Sequence, residues 1–153
     1  MTELRISLES PGQDGVAALL ERADADMLAR YPPESNRLLA ADALARPNVR
    51  FFVARRSGPI AGCAALVLGG DGEAELKRMY VDPAARGLGI GRRLLQAAED
   101  AARAEGVAVI RLETGIHQAE ALGLYRASGY RDRGPFGAYC ADPKSVFIEK
   151  TLQ

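Results

Sequence analysis

Histidine and cysteine are nearly missing from this 153-residue chain: His117 stands alone, and Cys63 and Cys140 lie far apart. One histidine, with no acidic residues at ligand spacing, argues against a metal site, and no metal is expected. Neither cysteine belongs to a C-x-x-C pair, so neither a zinc site nor a disulfide framework is expected. Cys63 lies in an apolar run and reads as a buried thiol. Charge of one sign is not in excess, with Lys+Arg and Asp+Glu both at 20. A nucleic-acid partner normally shows as a basic excess, so none is expected. No apolar run approaches a membrane span, so no membrane contact is expected. Residues 1–9 alternate polar and apolar and do not read as a signal peptide, which makes the cytoplasm the default location. There is no internal repeat, low-complexity tract or linker. What remains is an ordinary composition, 48% apolar and 26% charged, for one domain over residues 1–153 with a real core. Its richness in Ala, Arg and Gly has the look of a high-GC bacterial genome.

Glycine is what the chain does have, above all in Arg86-Gly87-Leu88-Gly89-Ile90-Gly91. Three glycines at alternate positions leave backbone N–H groups uncovered. A helix starting there aims those groups and its positive dipole end at one spot, which makes an anion site, usually for a phosphate. Arg86, Arg92 and Arg93 flank it with positive charge.

Around this run the pattern is mixed α/β. Leu4–Leu8 alternates as a short strand. Ser10 and Pro11 read as the cap and first position of a helix over 12–29, which Tyr31-Pro32-Pro33 ends. Ser35 caps a second helix, 36–45. Strands follow over 49–55, Ile60–Leu68 and Glu73–Val81, separated by glycine turns. Leu76, Met79 and Val81 do not share one face of a regular strand, and a bulge near residues 77–79 reconciles them. A helix over 88–105, a strand over 107–112, a helix over 118–128 and a strand over 145–152 complete the order. Residues 131–144 read as loop.

A dinucleotide fold wants G-x-G-x-x-G directly after its first strand, and Glu113 stands near the offset of a ribose-binding acid. Here the spacing is G-x-G-x-G, and it follows three strands that pair as antiparallel hairpins. There is no G-x-x-x-x-G-K-S/T, so a P-loop is excluded.

The run resembles the Q/R-x-x-G-x-G/A signature of the GNAT N-acetyltransferases. Leu76-Lys77-Arg78-Met79-Tyr80-Val81-Asp82-Pro83 resembles that family's central strand and its exit, and residues 118–130 resemble its N-x-x-A-x-x-L-Y-x-x-x-G-F segment. The likeness is strongest over residues 49–131, and the order of elements extends it to the whole chain. It implies an α/β (α+β) GNAT fold. Such a fold has a central mixed, mostly antiparallel sheet of six to seven strands with about four helices, splayed at its central strands. It also implies a transferase with acetyl-CoA as donor and an amine as acceptor. Such domains often pair through strand or helix edges, so a homodimer is allowed.

Residue by residue, the resemblance implies the following site. The N–H groups of Leu88, Gly89, Ile90 and Gly91 hold the pyrophosphate, beside Arg86, Gly87 and Arg92. The backbone of Met79, Tyr80 and Val81 pairs with the amide-like pantetheine arm and supplies the oxyanion donor. Gln118 replaces the family's usual Asn and still offers an amide to the pantetheine or acetyl region. Tyr125 occupies the position of a general acid for the thiolate, against a core tyrosine on an apolar face. Glu75 is the base candidate, against a solvated strand carboxylate, and Glu113 is its rival. Tyr31, Lys77, Arg78, Glu113, Phe136 and Tyr139 are the acceptor-binding candidates. Against them stand solvent-facing charges on the strand and aromatic anchors in the loop. His117 is either a base or a surface residue before its helix. A Cys–His acyl relay from Cys63 or Cys140 lacks any local motif. The runs L-K-R-M-Y-V, R-L-E-T-G and G-P-F-x-x-Y are similar to a bacterial subgroup named for action on indole acetic acid or small amines. A carboxylate-bearing small amine is the acceptor this suggests. A protein lysine or N-terminus as acceptor, and a non-catalytic acetyl-CoA sensor, are the alternatives.

Overall fold

Among the described residues seven strands form one sheet, in the order β1-β2-β3-β4-β5-β7-β6. The strands are β1 (Leu4–Leu8), β2 (Val49–Arg56), β3 (Ile60–Leu68), β4 (Glu73–Val81), β5 (Val109–Gly115), β6 (Arg131–Arg133) and β7 (Ser145–Thr151). Among the described residues three α-helices accompany them: α1 (Asp14–Arg30), α2 (Ile90–Ala104) and α3 (Ala119–Ala127). The computed structural model describes residues 3–30 and 42–152. Tyr31, the proline pair and most of the expected second helix lie outside the described residues. Of that helix, Ala43–Ala45 is a 3-10 turn, capped by Asp42, whose carboxylate accepts from the Ala43 N–H at 3.0 Å.

The expected mixed, mostly antiparallel sheet is present. Every pairing is antiparallel except β4 with β5. That parallel pair is short. Glu73, Ala74 and Glu75 pair with Val109, Ile110 and Arg111, and the pairing then stops although both strands continue. This is the splay. The bulge is present too: between the pairs Cys63–Tyr80 and Ala65–Lys77, Arg78 and Met79 stand opposite Ala64 alone.

Each face of the sheet is closed by a helix whose apolar spacing matches it. Ile90, Leu94, Leu95, Ala98 and Ala102 of α2 pack on Ala54, Ala64, Leu66, Leu76, Ile110 and Ile148. On the opposite face, Val16, Leu19 and Leu20 of α1 cover Phe51, Val53, Cys63 and Ala65. Within the α2 layer Glu99 is buried, and it accepts from the Tyr130 hydroxyl at 3.0 Å and the Lys150 ammonium at 2.9 Å. A buried carboxylate is tolerated because it is paired.

Three sequence expectations need correction. The Ser10 hydroxyl accepts from the Gly12 N–H at 3.1 Å and closes a turn, so α1 starts later than expected, at Asp14. The strand expected over 107–112 is displaced to Val109–Gly115. The N–H groups of Val107 and Ala108 go to the Ala102 and Gly72 carbonyls, while Thr114 and Gly115 pair with β7. Residues 131–133, read as loop, form the edge strand β6 against Phe147, Ile148 and Glu149 of β7.

Candidate active site

The chain leaves β4 through Asp82, whose carboxylate accepts from the Ala84 N–H at 3.0 Å and caps a 3-10 turn begun by Pro83. Gly87 and Gly89 follow at φ +81° and +79°. Gly89 is the N-cap of α2 and offers no side-chain cap. The first N–H groups of α2 are therefore directed to whatever stands in front of them. Gly91 answers a close approach. A Cβ there would stand 3.1 Å from a Leu124 methyl of α3.

Where β4 and β5 part, a cleft of about 490 Å³ opens between the glycine loop, α1 and α3. It brings together most of the expected site: Lys77, Arg78, Met79, Tyr80 and Val81 of β4, then Arg86, Gly87, Gly89, Ile90 and Gly91, then Glu113, Gln118 and Tyr125. Leu88 and Arg92 are exposed and are not among the lining residues. Neither are Glu75, Phe136 and Tyr139. Those three meet elsewhere. The Tyr139 hydroxyl donates to the Glu75 carboxylate and accepts from the Lys77 ammonium at 2.6 Å, while Lys77 and Glu75 stand 3.3 Å apart. Lys77 thus joins this cluster to the cleft. Phe136 is buried, 5.0 Å from the Tyr139 ring and 5.9 Å from the Phe147 ring, and anchors the late loop.

Tyr125 is 4% exposed and lines the cleft, yet its hydroxyl has no hydrogen-bond partner among the described residues. Burial pushes its pKa up, so it is a protonated donor at neutral pH. The Tyr130 ring meets it edge-on at 5.8 Å. Gln118 is held at both ends of its amide. It accepts from the Thr114 hydroxyl at 2.5 Å and donates to the Met27 sulfur at 3.2 Å. Glu113 accepts from the Ser145 hydroxyl at 2.7 Å.

Two basic residues of the cleft are tied to α1. Arg78 is nearly buried and donates to Asp24 at 2.5 Å. Arg86 lies 3.7 Å from Asp26 and donates to the Val81 carbonyl at 3.1 Å. The Tyr80 hydroxyl also donates to Asp26, at 2.9 Å, and burial with that carboxylate pushes the Tyr80 pKa up. The Cys63 thiol is fully buried, and burial pushes its pKa up to about 12. A neutral thiol without access to solvent is no acyl relay. Cys140 is exposed and stands outside the cleft lining, while His117 lies at its exposed rim. Met27 and Thr114 are cleft residues that the sequence did not flag. Met27 comes from α1 and meets Gln118 across 91 positions, so no local motif marks it.

No helix among the described residues is long and apolar enough to cross a membrane. Among those residues, no group of three or more His, Cys, Asp or Glu is placed to hold a metal ion.

The acetyltransferase (GNAT) family pattern matches residues 16–130. An IAA acetyltransferase from Azospirillum brasilense is 51% identical, over 99% of this chain and 100% of its own length. A Klebsiella pneumoniae protein assigned as an acyl-CoA N-acyltransferase is 37% identical, with a TM-score of 0.82 over 98% of both chains. A Thermoplasma acidophilum N-acetyltransferase in complex with coenzyme A is 18% identical, with a TM-score of 0.76 over 98% of this chain and 99% of that one; it shares the fold. The family pattern spans the strand, glycine loop and helix that build the cleft, and by it the chain is a transferase of the GNAT N-acetyltransferase family.

Proposed function

We propose that this protein moves the acetyl group of acetyl-CoA to the primary amine of a small molecule by direct attack. The observation that carries the reading is Tyr125, a buried residue of the cleft wall whose hydroxyl has no hydrogen-bond partner among the described residues. A buried donor of that kind suits a partner that arrives with the substrate. The glycine loop adds an anion cradle of backbone N–H groups, the right donors for a pyrophosphate.

In this reading Leu88, Gly89, Ile90 and Gly91 bind the pyrophosphate through their N–H groups, with Arg86 beside them and Arg92 adding charge at the rim. Met79, Tyr80 and Val81 pair with the pantetheine arm along β4. The Val81 carbonyl already accepts from Arg86, and its second lone pair leaves room for another bond. Gln118 presents its amide to the acyl end. Acetyl-CoA supplies an activated acyl group with a thiolate leaving group, and Tyr125 supplies the proton that this leaving group takes.

The acceptor approaches from the face opposite α2, where Glu75, Lys77 and Glu113 stand by strand alternation. Glu75 takes the amine proton through the Tyr139 hydroxyl, which already donates to it. Glu113, in the cleft wall, holds the incoming ammonium. Lys77 and Arg78 line the cleft and bring positive charge toward an acceptor carboxylate, Lys77 directly and Arg78 with its guanidinium paired to Asp24, while Phe136 anchors the loop that carries Tyr139. A small-molecule acceptor agrees with the name of the Azospirillum relative. An indole nitrogen is a poor nucleophile because its lone pair belongs to the ring, so a primary amine fits the chemistry better. Thiol release from acetyl-CoA over a panel of amines, amino acids and an N-terminal peptide tests this. Turnover with small amines is expected. Turnover with the peptide alone shifts the acceptor to protein, and coenzyme A binding without any turnover makes the protein a sensor.

A further inference from the structure

The bulge in β4 is gripped by two side chains that the reaction does not itself use. Arg78, in the bulge, has φ +56°, a left-handed conformation that a non-glycine residue keeps only when its surroundings hold it. Two contacts do so. The Arg78 carbonyl accepts a hydrogen bond from the Cys63 thiol of β3 at 3.2 Å. The Arg78 guanidinium, 6% exposed, donates to the Asp24 carboxylate of α1 at 2.5 Å. One residue is therefore held through its backbone by β3 and through its side chain by α1.

The next three residues are Met79, Tyr80 and Val81, all in the cleft wall. Their peptide groups are aimed by the dihedrals of Arg78, because a change of φ or ψ there rotates everything that follows. We infer that Cys63 and Asp24 are positioning residues for the donor: they fix the bulge, and the bulge sets the line of backbone groups along which the pantetheine arm pairs. The inference rests on the donor reading above. Cys63 suits this task as a thiol. It is fully buried among Val16, Leu19 and Val53, where a polar side chain needs a partner, and the carbonyl is that partner. Its raised pKa, about 12, keeps the proton on sulfur throughout the neutral range, so it remains a donor.

Three variants separate this from plain packing. Cys63→Ala removes the donor, Cys63→Ser keeps one, and Asp24→Ala removes the carboxylate that meets the guanidinium, at a half-exposed helix position. Coenzyme A affinity is measured by calorimetry, with thermal unfolding read alongside. Cys63→Ala and Asp24→Ala are expected to weaken binding about threefold to tenfold, and Cys63→Ser to stay within about twofold of wild type. Equal loss in the Ala and Ser variants would assign Cys63 to packing and overturn the inference. Wild-type affinity in Cys63→Ala would do the same. Should Cys63→Ala not fold, Asp24→Ala decides, and wild-type affinity there overturns the inference. Wild-type protein that binds no coenzyme A sinks the donor reading instead, and the inference with it.

Discussion

Tyr125 is buried in the cleft wall, and its hydroxyl has no protein hydrogen-bond partner among the described residues. Replacing it with Phe removes the unsatisfied group, so the fold is expected to keep its stability or gain slightly. Turnover is expected to fall about a hundredfold or more, the scale of a lost general acid, with coenzyme A affinity within about twofold. Steady-state kinetics and calorimetry on Tyr125→Phe check both halves, and an unchanged kcat removes Tyr125 as the acid. Its raised pKa keeps the hydroxyl protonated at neutral pH and makes it a weaker acid, so the proton is expected to move only as thiolate charge develops beside it. The place of this residue was legible in the sequence. Ala121, Leu122 and Tyr125 repeat at helical spacing before a terminating glycine, and that spacing turns the ring inward. What it meets was not legible. Tyr139 reaches Glu75 across 64 positions and Met27 reaches Gln118 across 91, and contacts that distant leave no periodicity to read.

At the scale of elements, the glycine loop and the edge strands make opposite demands on the backbone. Gly89 caps α2 at φ +79° with open space where a Cβ would be, so a substitution there meets conformational strain and no clash. Gly89→Glu is expected to lose about 1–2 kcal/mol of stability from the left-handed conformation. Its carboxylate, set where an anion is to bind, should weaken coenzyme A affinity by about tenfold or more. Urea unfolding and calorimetry read the two effects, and normal affinity contradicts the cradle. The edge strand β1 depends instead on a side chain just beyond its end. Glu9 accepts from Arg55 of β2 through both oxygens at 2.8 Å and from Gln13 at 3.0 Å. The Arg55 guanidinium leads in holding the Glu9 carboxyl down at about 2, from 4.5. A lowered pKa stabilises the fold above the unfolded value, and that contribution fades as pH falls from about 4.5 through about 2. Glu9→Gln is therefore expected to lower the melting temperature at pH 6 and to converge on wild type near pH 2. A gap that stays constant with pH would refute this. Most elements were legible because glycine and proline punctuate an alternating pattern. The edge strand Arg131-Asp132-Arg133 was not, because it has no apolar residue and exists only through its pairing with β7.

On the scale of the whole molecule, the sheet is two half-sheets joined along a narrow seam. Strands β1 to β4 form one half and β5, β7 and β6 the other, and among the described residues the strands pair across the seam at three positions, with the Gly72 carbonyl just before them accepting from Ala108 and Val109. The Arg111–Glu73 ion pair at 2.7 Å adds to that seam. Beyond it the halves part around the cleft, whose walls come from both: β4 and the glycine loop on one side, Glu113, Gln118 and Tyr125 on the other. A resemblance in the sequence pointed to this splay, but nothing in the residues of β4 or β5 states where the pairing ends. The bulge at Arg78 lies just beyond the last β4–β5 pair, while β5 stays paired with β7 along its whole length, and both are properties of the assembled sheet. A ligand that touches both walls ties the halves together, so it should stabilise the molecule as a whole. At a hundred times its Kd, acetyl-CoA or coenzyme A is expected to add about 2.7 kcal/mol. For a chain of this size that is a rise in melting temperature of roughly 5–10 °C. The same concentration of NAD, whose pyrophosphate is similar but whose remaining half has no pantetheine to run along β4, should shift it by no more than a degree or two (about a fifth of the coenzyme A effect or less). Equal stabilisation by both would reduce the cleft to a phosphate cradle with no use for the β4 backbone, and stabilisation by NAD alone would remove acetyl-CoA as the donor.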